Sequence, residues 1–231
     1  MATLYGVGVG PGDPELITLK ALRVLECVPV ICAPHARQEG ESIAGDIVLA
    51  VLGPEKLREK EFLPLHFPMT RAPAALEAAW AEAAAQVVAR LRAGKDVAVV
   101  TLGDPTFYST FPYLERAVRA VEPAAKVAVI PGVNAFAACA AAGGIAVQGE
   151  ERLAVVPAID VSDLEPVLAH FDCTVFLKAG RRLEALRAAV ARAGLTGRAY
   201  LYERCGFPGG RQGPLAAFSV AGYLSLVVVK K

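Results

Sequence analysis

The sequence predicts an α/β protein of two α/β domains with a cleft between them, and three observations carry that reading. Continuous apolar strands alternate with helical segments along most of the chain, the pattern of a parallel sheet covered on both faces. Three of those strands run straight into glycine- and proline-rich turns: GVGVGPGD (Gly6–Asp13), GDPTFYS (Gly103–Ser109) and PGVNAF (Pro131–Phe136). Near the C-terminus the long turn GFPGGRQGPL separates RAYLYER from the strong strand YLSLVVV, which suggests antiparallel pairing there.

Taken in order, Thr3–Val9 is the first apolar strand. Asp13 can cap a helix with Pro14 and Glu15 in its first turn, and LITLKALRVLEC supplies the amphipathic run. VPVIC is the next strand and Ser42–Leu52 a helix. EFLPLHF reads as a weaker edge strand because Pro64 cannot donate to a ladder. A long helix over Ala74–Ala93 ends at Gly94, with Leu76, Trp80, Ala84, Val87, Val88 and Leu91 on one face. VAVVTL, a helix to about Val121 and the strand Val127–Ile130 follow. The second half offers RLAVVPA, a helix over Ser162–Phe171, CTVFLK, a helix over Arg181–Ala193 and RAYLYER. AVEPAAK (Ala120–Lys126) is a plausible hinge, which divides the chain into domains 1–122 and 123–231.

Composition excludes several classes. The chain has 231 residues, 55% hydrophobic and 20% charged, with a net charge of +1 from scattered residues, so no footprint for nucleic acid stands out. Val127–Gly149 is uncharged and long enough to raise a membrane span, but Pro131-Gly132 and Gly143-Gly144 break it into strand, turn, short helix and strand. With no signal segment before the first strand, a cytoplasmic protein is expected. The cysteines Cys27, Cys32, Cys139, Cys173 and Cys205 form no CxxC pair and read as small buried hydrophobes, four of them in apolar surroundings. His35, His66 and His170 are isolated and lack ligand spacing, so no protein-held metal is expected.

The glycine turns fail two common tests. A phosphate-binding loop needs Lys followed by Ser or Thr, and GVGVGPGD has neither. A dinucleotide fingerprint needs GxGxxG, but the last glycine is replaced by Pro11 in one register and by Asp13 in the other. The second strand also ends at His35 with no acid to hold a ribose. Glycines shaping a tight turn, with Asp13 and Asp104 as caps, explain one such turn alone. Three turns on one carboxyl edge of a parallel sheet point instead to a ligand.

The stretches GVGVGPGDPELITLKALRVL, VAVVTLGDPTFYSTFPYL, VIPGVNAFAACAAAGGI and VFLKAG resemble the successive signatures of the tetrapyrrole (corrin and porphyrin) methylases. LHFPMTRAPAALEAAW and QGEERLAVVPA resemble most the members that act at the C20 step of cobalamin biosynthesis. The resemblance runs nearly end to end. It implies two α/β/α domains with S-adenosyl-methionine in the cleft between them, S-adenosyl-homocysteine as product, a tetrapyrrole substrate and a homodimer. Carried over residue by residue, it implies that Pro11, Leu102, Gly103, Asp104, Phe107, Asn134 and Ala135 line the cofactor. Leu177 and Cys205 would join them from the second domain. Asn134 stands where Ser or Thr is common, and it still hydrogen-bonds.

Methyl transfer from a sulfonium to carbon is an in-line displacement, in which positioning and exclusion of water dominate. Tyr108, His35 and Glu203 are candidates for a base that removes the C20 proton. The carboxylates of such a substrate call for Arg or Lys, with Arg37, Arg71, Lys178 and Arg204 as candidates and His35 with Arg37 as the preferred substrate pair. Competing readings are another methylase of the family acting on uroporphyrinogen III or a later corrin, a non-catalytic tetrapyrrole carrier, and a nucleotide enzyme.

Overall fold

The structure, a computed structural model, describes residues 2–35, 42–70, 72–158 and 164–231. The chain divides into two compact units, Met1–Asn134 and Ala135–Lys231. The expected boundary at 122/123 therefore falls too early. The strand Lys126–Ile130 pairs with Thr3–Gly8 and so belongs to the first unit, which carries the division past Asn134.

The first unit holds strands β1 (Thr3–Gly8), β2 (Val30–His35), β3 (Glu61–His66), β4 (Val97–Thr101) and β5 (Lys126–Ile130), all parallel, in the order β3-β2-β4-β1-β5. Its helices are α1 (Leu19–Cys27), α2 (Ile43–Arg58), α3 (Pro73–Arg92) and α4 (Phe111–Val121). One sheet face packs Leu4, Val97 and Val99 under Val87, Val88 and Leu91 of α3 and Phe111 and Leu114 of α4. The other packs Val7, Ile31 and Val100 under Leu25 of α1 and Ile47 and Val48 of α2. Both faces are covered because strands made of Val, Ile, Leu and Ala have no polar side to leave in water.

Local chemistry explains where elements begin and stop. Asp13 does cap, its Oδ1 accepting from Glu15 N–H at 2.9 Å, but the element is only a 3-10 turn, Pro14–Leu16. The helix proper starts at Leu19 and is capped by Thr18, whose Oγ1 accepts from Ala21 N–H at 3.1 Å. The helix expected over Ser42–Leu52 extends to Arg58 through a break at Gly53 (φ 76°), after which Pro54 restarts it. β3 is an edge strand, as Pro64 requires. The apolar stripe of α3 is core from Ala84 to Leu91, while Trp80 lies half-buried and stacks on Tyr113 of α4 with centroids 4.8 Å apart.

The second unit contains α5 (Ala135–Ala142), β6 (Leu153–Pro157), α6 (Glu165–His170), β7 (Cys173–Leu177), α7 (Leu183–Arg192), β8 (Ala199–Glu203), β9 (Arg211–Pro214) and β10 (Ser225–Lys230). The sheet order is β6-β7-β10-β8-β9. Only β6 and β7 are parallel; β10 pairs antiparallel with both β7 and β8, and β9 antiparallel with β8. The antiparallel pairing inferred from the Gly/Pro turn is present. That turn is shorter than expected, because Arg211–Pro214 inside it forms β9. No strand follows Gly143-Gly144 over residues 145–149. Of the cysteines, Cys32, Cys139 and Cys173 are buried and Cys205 partly so, whereas Cys27, at the end of α1, is exposed. Burial pushes the Cys32 thiol up to about 12, which makes it inert. No described helix is long and apolar enough to cross a membrane.

Candidate functional site

The carboxyl edge of the first sheet brings the three turns together. Val9 N–H donates to Thr101 O at 3.1 Å, and Gly103 N–H donates to Gly10 O at 2.7 Å, so the turns after β1 and β4 are laced backbone to backbone. A Cβ on Gly8 would lie 2.6 Å from Gly103 O and 2.7 Å from Gly132 N. One on Gly132 would strike Gly103 O and come within 2.9 Å of Gly8 Cα. What passes close to GVGVGPGD is thus first of all the chain's own backbone, from the two other turns. Gly6 serves a different purpose: the ring of Phe111 lies against its Cα, which seats α4 on the sheet.

Asp104 locks this arrangement. It is 9% exposed, and both its oxygens are used. Oδ1 accepts from Thr106 N–H at 2.7 Å and from Thr106 Oγ1 at 2.5 Å, and Oδ2 accepts from Gly132 N–H at 2.9 Å. Burial works against its charge, but the bonds from the Thr106 hydroxyl, Gly132 and the Thr106 amide outweigh it and hold the carboxyl below the usual aspartate value. Its side chain is therefore the fastener between the second and third turns. Ser109 Oγ accepts from Phe111 N–H at 3.1 Å and bonds Thr101 Oγ1 at 2.9 Å, which fixes the start of α4.

Of the residues implied as cofactor-lining in this unit, Pro11, Gly103 and Asp104 are buried, while Leu102, Phe107 and Asn134 are partly exposed. Phe107 meets Tyr108 edge-on at 5.1 Å, and Tyr108 is held at φ 53°. The neighbouring strands β2 and β3 end in His35 and His66, which are in register, with ring centroids 5.4 Å apart. His35 and His66 are thus not isolated from each other, a pairing that chain spacing could not reveal. Among the described residues, no group of three or more His, Cys, Asp or Glu is placed to hold a metal ion. Arg37 and Arg71 lie outside the described residues.

In the second unit Ala135 opens α5 and is exposed. Leu177 and Cys205 pack against one apolar cluster with Phe136, Cys139, Tyr202 and Leu226. The Tyr202 hydroxyl sits where a side chain on Gly143 would be, so α5 ends against β8. Burial and the neighbouring Cys205 raise the Cys139 thiol, and burial also raises Tyr202. Lys178 and Arg204, which follow β7 and β8, both hold left-handed backbone, at φ 56° and 52°. Glu203, expected as a possible base, is structural: Oε1 accepts from Gly222 N–H at 2.6 Å and Oε2 from Arg211 Nε at 2.9 Å. Burial opposes its charge, and Arg211 with Gly222 overcomes it, lowering its pKa.

A parallel sheet whose carboxyl edge is built of touching glycine turns, followed by a mixed sheet, defines an α/β protein with a backbone-built turn cluster where such sheets bind ligands. The sequence profile of the Tetrapyrrole (Corrin/Porphyrin) Methylases matches residues 3–216, and the chain belongs to that family. It is 38% identical over 221 residues to the cobalamin biosynthesis protein CobIJ of Mycobacterium tuberculosis, a match covering 93% of this chain and 42% of that protein. The chain thus spans less than half the length of that relative. It is 35% identical to the precorrin-2 C(20)-methyltransferase of a Sinorhizobium species (98% of this chain, 94% of that one). With the cobalt-precorrin-2 C(20)-methyltransferase of Salmonella typhimurium the figures are 33% identity, 89% and 85%. Among solved structures, the uroporphyrin-III C-methyl transferase of Thermus thermophilus, complexed with S-adenosyl homocysteine, superposes with a TM-score of 0.69 at 23% identity, covering 100% of this chain and 98% of that one. That likeness establishes the fold.

Proposed function

We propose that this chain transfers a methyl group from S-adenosyl-methionine to C20 of precorrin-2, or of its cobalt-bearing counterpart, in cobalamin biosynthesis. The observation that carries the reading is similarity over nearly the whole length of two relatives that are both C(20)-methyltransferases. The clustered turns of the first unit support the cofactor. Buried Gly103 and Pro11 bring backbone close, and partly exposed Leu102, Phe107 and Asn134 offer apolar walls and an amide. These residues fit a ligand with a flat aromatic part and polar ends. In the second unit the reading assigns Ala135, Leu177 and Cys205 to the same cofactor.

When bound, S-adenosyl-methionine supplies the electrophilic methyl on its sulfonium. The chain's own part is to hold that carbon in line with the nucleophile and to keep water away. Asp104 contributes by fixing two turns relative to each other, since its oxygens are taken by Thr106 and Gly132. C20 of a reduced tetrapyrrole is electron-rich through the adjacent pyrrole nitrogens and needs no covalent catalysis. Its proton leaves after transfer, and His35 or Tyr108 is the base candidate, Glu203 being engaged elsewhere. The reading includes a homodimer, whose contact would cover exposed apolar side chains such as Leu19 and Val220, and a cytoplasmic location, where dispersed thiols stay reduced.

The test is anaerobic incubation of the chain and S-adenosyl-methionine with precorrin-2 and, separately, with cobalt-sirohydrochlorin, followed by mass spectrometry. One added methyl, placed at C20 by NMR, is expected, and the faster substrate decides whether the ring carries cobalt. No transfer to either, with S-adenosyl-homocysteine still bound, would move the chain to another step of the family.

A further inference from the structure

We propose that Lys178 and Arg204 form a paired cationic grip for two carboxylates on the rim of the tetrapyrrole, at the carboxyl edge of the second sheet. The inference rests on the methylase reading above and assigns it a substrate contact.

Strands β7 and β8 run in the same direction on either side of β10, so the residues that follow them emerge on one edge. Leu177 is opposite Leu226, and Glu203 is opposite Ser225. Lys178 and Arg204 therefore stand about two strand spacings apart, roughly 10 Å. That separation suits two side chains of one large ring better than one carboxylate.

Both residues keep a left-handed backbone, which a glycine would adopt without strain and a long side chain does not. Each is held there by a built scaffold. Ser225 Oγ accepts from Gly180 N–H at 2.9 Å and donates to Gly222 O at 2.7 Å, pinning the turn after Lys178. Arg204 N–H donates to Leu224 O at 2.8 Å, and Phe207 N–H donates to Arg204 O at 3.0 Å, pinning the turn at Arg204. Retaining a cation at two positions where glycine is cheaper is an observation about side chains, not about turns.

Among the described residues, Glu203, the acid next to Arg204 in the chain, is already held by Arg211 and Gly222 N–H. Neither Lys178 nor Arg204 makes an ion pair among the described residues. The Arg204 guanidinium lies over the Phe207 ring at 5.1 Å, a contact that occupies its face and leaves the N–H edge for a carboxylate.

Glycine variants separate the two roles of these positions. Lys178→Gly and Arg204→Gly should raise Tm by a few degrees through relief of backbone strain. Each should weaken binding of uroporphyrin I, a stable polycarboxylate ring, by about tenfold in fluorescence titration, with a shallower dependence on salt. S-adenosyl-homocysteine affinity should not change, nor should ring binding in Arg187→Gln, a cation exposed on α7. Lys178→Arg should recover most of the lost affinity. Glycine variants that bind the porphyrin as tightly as the parent would overturn the grip alone. A parent that binds S-adenosyl-homocysteine but no porphyrin would also overturn the grip, while the methylase reading would stand or fall on the methyl-transfer assay.

Discussion

The two sheets solve the same problem in opposite ways. In the first, the carboxyl edge is assembled from backbone: Gly8 and Gly132 have no room for a Cβ beside Gly103, which itself holds a φ of 73°, and one carboxylate, Asp104, fastens the turns. In the second, side chains do the fastening, with Ser225 and Glu203 holding the loops around Lys178 and Arg204. A backbone-built edge can lie flat against a cofactor, and its amides do not vary with sequence. A side-chain-built edge can carry charge that differs from one substrate to the next.

Gly132→Ala should do the most damage at the backbone-built edge. The new methyl would enter Gly103 O and Gly8 Cα, neither of which is the end of a flexible side chain. Overpacking of this kind costs about 3 kcal/mol or more, a Tm loss of roughly 6–12 °C. S-adenosyl-homocysteine binding, followed by calorimetry, should disappear with it. A variant of near-parental stability would mean that the turns are not in backbone contact.

Asp104→Asn comes next. One amide hydrogen must face a donor, either Thr106 N–H or Gly132 N–H, at a cost of about 2 kcal/mol. The pH dependence has a definite sign. Because the folded carboxyl titrates below its ordinary value of 3.8, its stabilisation is present above that pH and fades as pH falls through the lowered value. Urea melts of parent and variant should therefore differ most near neutrality and converge in acid. A gap that widened in acid would contradict the assignment.

Much of this was legible in the chain. Alternating apolar runs and turn residues give the two α/β units, and Pro64 places β3 at an edge. The unit boundary was not legible, because Pro123 looks like a linker until β5 is seen to pair with β1. The pairing of His35 with His66 depends on strand register, which no spacing along the chain encodes. Glu203 looked reactive for a similar reason: its partner Arg211 lies in β9, a strand hidden inside a glycine-rich turn.

On the second sheet, Ser225→Ala is the matching cut. It leaves Gly180 N–H and Gly222 O without the hydroxyl that joins them, at a site only 6% exposed. A loss of about 1–2 kcal/mol is expected. Porphyrin affinity should fall more than S-adenosyl-homocysteine affinity, because the turn that slackens is the one after Lys178. Equal losses for both ligands would erase the distinction drawn between the edges.

Thr18→Ala should have the smallest effect, and it tests whether the first edge is truly backbone-held. Thr18 Oγ1 caps α1 through Ala21 N–H at 3.1 Å and also reaches Pro131 O, but only at 3.5 Å, the outer limit of a hydrogen bond. If the turn after β5 is held by Gly132 and Asp104, the variant loses only the cap, about 1 kcal/mol, and binds S-adenosyl-homocysteine as the parent does. Thr18→Ser, which keeps the capping oxygen, should recover the stability. A loss of cofactor binding in Thr18→Ala would show that the turn leans on a side chain outside the glycine cluster, and the first sheet would then resemble the second.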